Sequence, residues 1–328
     1  MPREGERMVE GENLRGRIEP LGARATQGKQ IGHIEKEAYM HVMKLDLFVF
    51  VMVVMLLVFV FLLPLGVKQT LEATVTSHPI TWLTNNYVHE DWNHLAENLQ
   101  WFAVCMLIYF VLVTVLAVLG YDPHWMKGFS LTTHLGGLII IPILSSFIYL
   151  NLKPQGYMFG FSLSVSAYFG AYAALWSLAT AEALDVGKNW RTIYMGLQLF
   201  LLLLTPICRY LDSVVKWLTP ATLYSPLVSS ALMVLLAVRN PRSLHRFFAK
   251  IPSHMKQSRM PGIVLVGLLL IFYPLIATCF LYSFYPVSTM LQVAGGQVNW
   301  KGHLVSMVAG YFLTCFYIAL AHTQRASL

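Results

Sequence analysis

The sequence predicts an all-α polytopic membrane protein with about eight membrane-spanning helices. Only 12% of the 328 residues are charged and 56% are hydrophobic, whereas a soluble domain usually carries about 25% charged residues. The apolar residues are gathered into runs of roughly 20, the length at which a helix crosses the hydrocarbon core of a bilayer. These runs lie at residues 46–66, 92–119, 131–150, 157–180, 192–210, 222–238, 262–284 and 302–321.

The polar parts of the chain lie at its ends and in short loops. Residues 1–45 predict a cytosolic tail that is disordered at first and helical near residues 35–44. Residues 46–321 form the transmembrane domain, and residues 322–328 form a short cytosolic tail. The first apolar run starts too late and is too long for a cleavable signal peptide. No stretch between the runs is long enough to hold a soluble domain.

The basic residues predict which way the chain is threaded. If successive loops are assigned alternately to the two sides of the membrane, 18 of the 23 Lys and Arg residues lie on the side of the N-terminus and 5 lie on the other side. Cytoplasmic loops carry the excess of Lys and Arg, so both termini are predicted to be cytosolic, in a multi-pass protein of the plasma membrane. The formal net charge of +7 is explained by these loops, and no basic stripe interleaved with aromatic residues indicates nucleic-acid binding.

Three polar motifs near the starts of apolar runs are candidate functional elements, because polar side chains inside a bilayer are costly. In the second run, His94 and Asn98 are four residues apart and share one helical face, while His89 falls in the preceding loop or cap. The His89-Glu90 pair resembles the start of the HExxH zinc motif. Here the second histidine comes one residue too late to face the same way, so no metal is predicted.

The other two motifs open the fourth run and the last run. Ser162 follows Gly160, and His303 follows Gly302 and precedes Gly310. Taken singly, such serines and glycines are common points of helix packing in membranes. Gly310 lies on the same helical face as His303 and would let that helix approach a neighbour closely.

The predicted topology brings the three motifs to the same depth. The second, fourth and last runs all enter from the outer side, so Ser162, His94 and His303 share a layer less than about 10 Å deep. A serine needs a base to become a nucleophile, and His303 can supply it. Tetrahedral intermediates need hydrogen-bond donors for the oxyanion, which the side chains of His94 and Asn98 can provide.

Together, His89-x4-His94-x3-Asn98, Gly160-x-Ser162 and His303-x2-Ser306-x3-Gly310 resemble the three signatures of rhomboid intramembrane serine proteases. The resemblance implies a rhomboid-like six-helix core with two additional transmembrane helices, and a serine-type endopeptidase without cofactors. It implies the following roles: Ser162 as nucleophile, His303 as general base and acid, His94, Asn98 and the Ser162 amide around the oxyanion, His89 as a structural or water-retaining residue, and Gly160, Gly302 and Gly310 in support.

The chain departs from the family pattern at several points. Leu163 stands where the family usually has glycine after the serine, and Ser166 stands where an aromatic residue often stacks on the histidine. Three apolar runs, rather than one, separate the serine run from the histidine run. Both numbers are odd, so the last run still enters from the outer side.

Three classes of function are compatible with a polar site in a membrane bundle. The leading hypothesis is a protease that cleaves single-span transmembrane proteins near the outer leaflet. The alternative is a catalytically inactive rhomboid-like protein that binds membrane helices for quality control, although such a protein needs none of the four polar site residues. A transporter relaying protons through histidines and Glu97 would show broken helices and internal repeats, and the sequence has neither.

The basic asymmetry predicts the outcome of cysteine-accessibility labelling. In a cysteine-free background, single cysteines placed within residues 240–258 should react with a membrane-impermeant thiol reagent only from the cytosolic side. Cysteines placed within residues 67–91 should react from the outside. Labelling of the 240–258 loop from the outside would overturn the eight-span topology.

Overall fold

The computed structural model describes residues 21–152 apart from 75, 90 and 120, residues 160–183, 273–284 and 300–326, and short pieces between 192 and 235. In these ranges the chain consists of helices and the turns that join them. We number the described helices α1 (Leu21–Phe61), α2 (Leu65–Leu71), α3 (Thr81–Thr84), α4 (Trp92–Val118), α5 (Pro123–Leu135), α6 (Ile141–Leu152), α7 (Ser162–Ala183), α8 (Tyr273–Phe284) and α9 (Trp300–Ala326).

Four helical stretches are long and apolar enough to cross a membrane, which supports the prediction of an all-α membrane protein. They are Tyr39–Phe61, Trp92–Ala117, Pro123–Asn151 and Lys301–Leu320. They correspond to the first, second, third and last predicted runs, but the third stretch begins at Pro123, eight residues before the predicted start at 131. The third stretch joins α5 to α6 through a π-helical segment, Gly136–Ile140.

The start of the first span differs from the prediction. Helix α1 begins at Leu21 and its spanning stretch begins at Tyr39, so a single helix runs through the predicted boundary at residue 46. About half of the predicted run at 192–210, most of the run at 222–238 and the first part of the run at 262–284 lie outside the described residues. The total of eight spans therefore stays a prediction.

Helix α7 is the central helix of the described bundle. Its 22 residues give a length of about 33 Å, and every residue from 163 to 181 is buried. It is not among the four apolar stretches, and its abundant alanine, serine and glycine explain why. A helix enclosed by other helices packs best with small side chains and has no need of a lipid-facing apolar surface.

Helices α7 and α9 touch backbone to backbone. A Cβ atom added at Gly170 would lie 1.9 Å from the carbonyl oxygen of Met307, and one added at Gly310 would lie 2.0 Å from that of Ala167. Each glycine thus leaves room for a carbonyl of the opposite helix, so the two helices cross at close range about two turns away from Ser162 and His303.

The other helices pack around this pair through aromatic side chains. Phe169 of α7 stacks on Phe280 of α8 with ring centroids 3.8 Å apart, and Trp101 of α4 meets the same ring edge-on at 5.5 Å. Phe102 of α4 packs on Phe50 of α1 at 5.3 Å. Helix α4 begins with Asp91 as its N-cap, whose carboxylate accepts the backbone N–H of His94 at 2.9 Å.

The glycine contacts predict a sharp difference between two glycine-to-alanine substitutions. Gly170→Ala should lower the free energy of unfolding by at least about 1–3 kcal/mol, the usual cost of overpacking, because the obstructing atom is backbone. Gly66→Ala is the matched control, since a Cβ at Gly66 meets nothing within 4 Å. Thermal unfolding in detergent measures both. Equal stability of the two variants would show that the close crossing is wrong.

Candidate active site

The structure brings the predicted nucleophile and base together. Nε2 of His303 lies 2.9 Å from Oγ of Ser162, although the two residues are 141 positions apart in the chain. Ser162 is the first residue of α7 and is half-buried. His303 lies in the first turn of α9 and is only 5% exposed. The pair therefore has the geometry for proton transfer, with the serine on the more accessible side.

Gly160 forms the turn that leads into Ser162. Its φ of +103° belongs to the region that favours glycine, and its N–H donates to the carbonyl of Asn85 at 2.9 Å. An added Cβ would lie 2.7 Å from Cε1 of His94 and 3.0 Å from Nε2 of that ring. Glycine is thus required here both by the turn and by the neighbouring imidazole.

His89 joins the start of α4 to the start of α7. Its Nε2 accepts the N–H of Phe161 at 3.4 Å and lies 3.0 Å from Nδ2 of Asn98. Both partners can only donate, so Nε2 carries the lone pair, and Nδ1–H donates to the Tyr87 carbonyl at 3.3 Å. Burial, with the nearby His94 charge as a second cause, lowers the pKa of His89 to about 3. His89 is therefore a neutral structural side chain.

The candidate oxyanion donors lie beside the same turn. His94 is half-buried and Asn98 is buried, and both side chains approach the position of a Cβ at Gly160. Asn98 uses one N–H on His89 and has a second one. The Ser162 amide belongs to the first turn of α7, where helix amides have no partner within the helix.

The departures from the family pattern have local structural explanations. Leu163 is 3% exposed and packs in a small cluster with Ala73 and Leu150. Ser166 donates from its Oγ to the carbonyl oxygen of Ser162 at 2.8 Å. Gly302 is buried in the first turn of α9, one residue before His303.

Several supporting contacts were not predicted from the sequence. Lys68 is 9% exposed, and its Nζ lies 3.3 Å from the carbonyl oxygens of His89 and Phe61. The Oγ of Ser306 donates to that of Ser145 at 2.8 Å, tying α9 to α6. Asn85, besides accepting from Gly160, directs its amide to Ser146 at 3.5 Å. The adjacent asparagines at 85 and 86, just before the histidine motif, are the sequence feature that could have indicated a polar contact here.

Comparison of the chain with protein-family models, with curated proteins and with solved structures finds no match. The rhomboid resemblance accordingly rests on the three sequence motifs.

The buried His89 predicts a loss of stability in acid. Its pKa is lowered from 6.5 to about 3, so below pH 6.5 the unfolded chain takes up a proton that the folded chain does not. Its contribution is complete above pH 6.5 and is lost as pH falls towards 3, by up to about 1.4 kcal/mol per pH unit. Unfolding measured between pH 6.5 and 5 should show a smaller loss in His89→Gln than in the wild type.

The control for this experiment is His124→Gln, at an exposed histidine near the start of α5, which should keep the wild-type loss. An unchanged pH dependence in His89→Gln would show that His89 is not held neutral in the folded chain.

Proposed function

We propose that the protein is a rhomboid-like intramembrane serine endopeptidase that acts through a Ser162–His303 dyad. The observation that carries the proposal is the 2.9 Å contact between Nε2 of His303 and Oγ of Ser162. The serine stands at the N-terminus of a buried helix, beside a turn that brings His94 and Asn98 close. A nucleophile paired with a base and flanked by donors is the constellation needed for acyl transfer.

In the first half of the reaction, Oγ of Ser162 attacks the substrate carbonyl carbon while its proton passes to Nε2 of His303. The tetrahedral oxyanion is stabilised by the Ser162 amide, the second N–H of Asn98 and His94. The positive end of the α7 helix dipole points to the same place and adds to this stabilisation. The C–N bond then breaks, and His303 returns the proton to the departing amine, leaving an acyl-enzyme on Ser162.

In the second half, His303 removes a proton from water as the water attacks the acyl carbon. The intermediate collapses, the bond to Oγ breaks, and His303 gives the proton back to Ser162. Every proton is carried by His303, so a dyad suffices and no metal or organic cofactor takes part. His89 and Lys68 keep the loop before α4 in place and do not contact the reacting atoms.

The position of Ser162 favours transmembrane proteins as substrates. Under the eight-span topology, the N-terminus of α7 faces the outer leaflet, and both termini of the chain are cytosolic. A peptide bond in a helix is shielded by its own hydrogen bonds and in a membrane has no water to replace them. A single-span substrate must therefore unwind locally near the outer leaflet to reach the half-buried serine.

The proposal predicts equal effects from removing either member of the dyad. Ser162→Ala and His303→Ala should each abolish cleavage of a single-span substrate in proteoliposomes, because residues acting as one unit do not contribute additively. An activated fluorophosphonate should label the wild type at Ser162 and should not label either variant. Ser164→Ala is the matched control, since Ser164 lies two residues further along the same helix and is fully buried.

Substantial cleavage by His303→Ala would identify another group as the base. Failure of the wild type to react with the phosphonate, with binding of membrane helices retained, would favour the non-catalytic alternative.

A further inference from the structure

The first three turns of α4 carry polar side chains on a face beside the site residues. Asn93, Glu97 and Gln100 follow one another at spacings of four and three residues, so they lie along one side of the helix. All three are exposed, although they lie within Trp92–Ala117, a stretch long and apolar enough to cross a membrane. These three residues form the α4 polar stripe.

Glu97 has no partner in the part of the chain that the structure describes. No hydrogen bond or ion pair joins its carboxyl group to another described residue. Asp46 of α1, the other carboxyl group within the four candidate spans, is buried and lies 2.8 Å from Nε2 of His134. Ionisable side chains within membrane spans almost always pair with another group or line a water-filled space. Glu97 is therefore available to a partner molecule.

The stripe borders the candidate active site. Along α4, Glu97 follows His94 by three residues, so the two side chains differ in direction by about 60° and in height by about 4.5 Å. The His94 ring in turn lies 2.7 Å from the position of a Cβ at Gly160, two residues before Ser162. A polypeptide bound at Ser162 on the side of His94 is therefore within reach of the stripe.

The same face of α4 becomes apolar further along the span. Beyond Gln100 the exposed residues include Ala103 and Leu107, and their spacing of three and seven residues from Gln100 keeps them on this face. A partner that covers the face must be polar opposite the stripe and apolar beside Ala103 and Leu107. A membrane-spanning segment has this pattern where it leaves the bilayer.

The carboxylate of Glu97 specifies the polar group of the partner. An ionised carboxylate only accepts hydrogen bonds, whereas the amides of Asn93 and Gln100 both accept and donate. The complement of a single carboxylate is a cation, and Lys and Arg side chains near the end of a membrane helix extend their charged groups to the interface. Charge complementarity therefore favours a basic residue in the partner over a neutral or acidic one.

We propose that the α4 polar stripe is a docking surface for a transmembrane segment that carries a Lys or Arg residue close to the cleaved bond, and that Glu97 pairs with this residue. The inference rests on the proposed proteolytic function and adds a specificity determinant to it. The preferred substrates are single-span proteins with a basic residue within about two helical turns of the cleaved bond, which is the length of the stripe. Glu97 binds and orients the segment and takes no part in the chemistry at Ser162.

The test is a charge-reversal experiment in proteoliposomes. Model single-span peptides carry Lys, Gln or Glu at one position at a time, within two helical turns on either side of the cleaved bond. At one or more of these positions, kcat/KM of the wild type should be about two- to five-fold higher for the Lys peptide than for the Gln peptide, the range for an exposed ion pair. The Glu peptide should be cleaved more slowly than the Gln peptide.

Variants of Glu97 should change this preference without changing the reactivity of the site. Glu97→Gln should remove the difference between the Lys and Glu peptides, and Glu97→Lys should reverse it. Lys127→Glu is the matched control, because it is an equal and opposite change of charge at an exposed residue near the other end of α4, and it should keep the wild-type preference. Labelling of Ser162 by the fluorophosphonate should be the same in all of these proteins, since each retains Ser162 and His303.

Equal cleavage of the Lys, Gln and Glu peptides by the wild type would overturn the proposal. The same order of rates in Glu97→Lys as in the wild type would also overturn it.

Binding separates this inference from the proposed activity. The Ser162→Ala protein should bind the Lys peptide more tightly than the Glu peptide, and adding Glu97→Lys should reverse the order. If the wild type binds with this preference and cleaves none of the peptides, the docking surface stands and the proposed proteolysis fails. Cleavage that does not depend on the charge of the peptide has the opposite meaning.

Discussion

The contact between the backbones of α7 and α9 is the constraint on which the site depends. Ser162 and His303 come from different helices, and hydrogen-bond distance between them requires those helices to cross closely. Gly170 and Gly310 make this possible, because each accepts a carbonyl of the opposite helix at a distance that no side chain would allow. In a membrane, where apolar side chains gain little by leaving lipid, such close packing is a principal source of helix association. Ser162 and His303 are thus brought together by two glycines that lie about two helical turns away from them.

Hydrogen bonds from a neighbouring loop fix the start of α7. Ser162 has no preceding helical turn, so its position depends on Gly160 and on the N–H of Phe161. The first is bound by Asn85 and the second by His89, which are both fixed by the loop before α4. Lys68 in turn holds the carbonyl of His89. The position of Ser162 therefore depends on a chain of hydrogen bonds that begins outside its own helix.

Much of this arrangement follows from local patterns in the sequence. Apolar runs locate the long helices because span length is set by the bilayer, and the spacing of His94 and Asn98 places them on one face because the helical repeat is fixed. The grouping of Ser162 with His303 rested on a topology argument about depth, and the structure places the two side chains in contact. The limits of α1 were less predictable, since a helix can extend beyond the membrane into polar sequence without any change of composition at its end.

The Asp46–His134 pair shows what local patterns do not supply. Each residue alone is an ordinary polar side chain near the end of an apolar run, and their pairing is a property of how α1 and α5 face one another. The rule that intramembrane ionisable groups need partners indicates that each has one. The identity of the partner becomes evident only from the packing. The same holds for the bond between Ser306 and Ser145, which joins helices far apart in the chain.

The π-helical segment at Gly136–Ile140 has a geometric consequence for the third span. In an uninterrupted α-helix, Ser145 would follow His134 by eleven residues and point within about 20° of it, towards α1. One extra residue in a widened turn rotates everything beyond it by about 100°, which carries Ser145 and Ser146 round to α9 and Asn85. Pro142, four residues after Leu138, has no N–H to donate to the Leu138 carbonyl, and this carbonyl accepts the Tyr87 hydroxyl at 3.0 Å. The third span can in this way present two differently oriented polar edges, one in each half of its length, with Pro142 in the first turn after the widened segment.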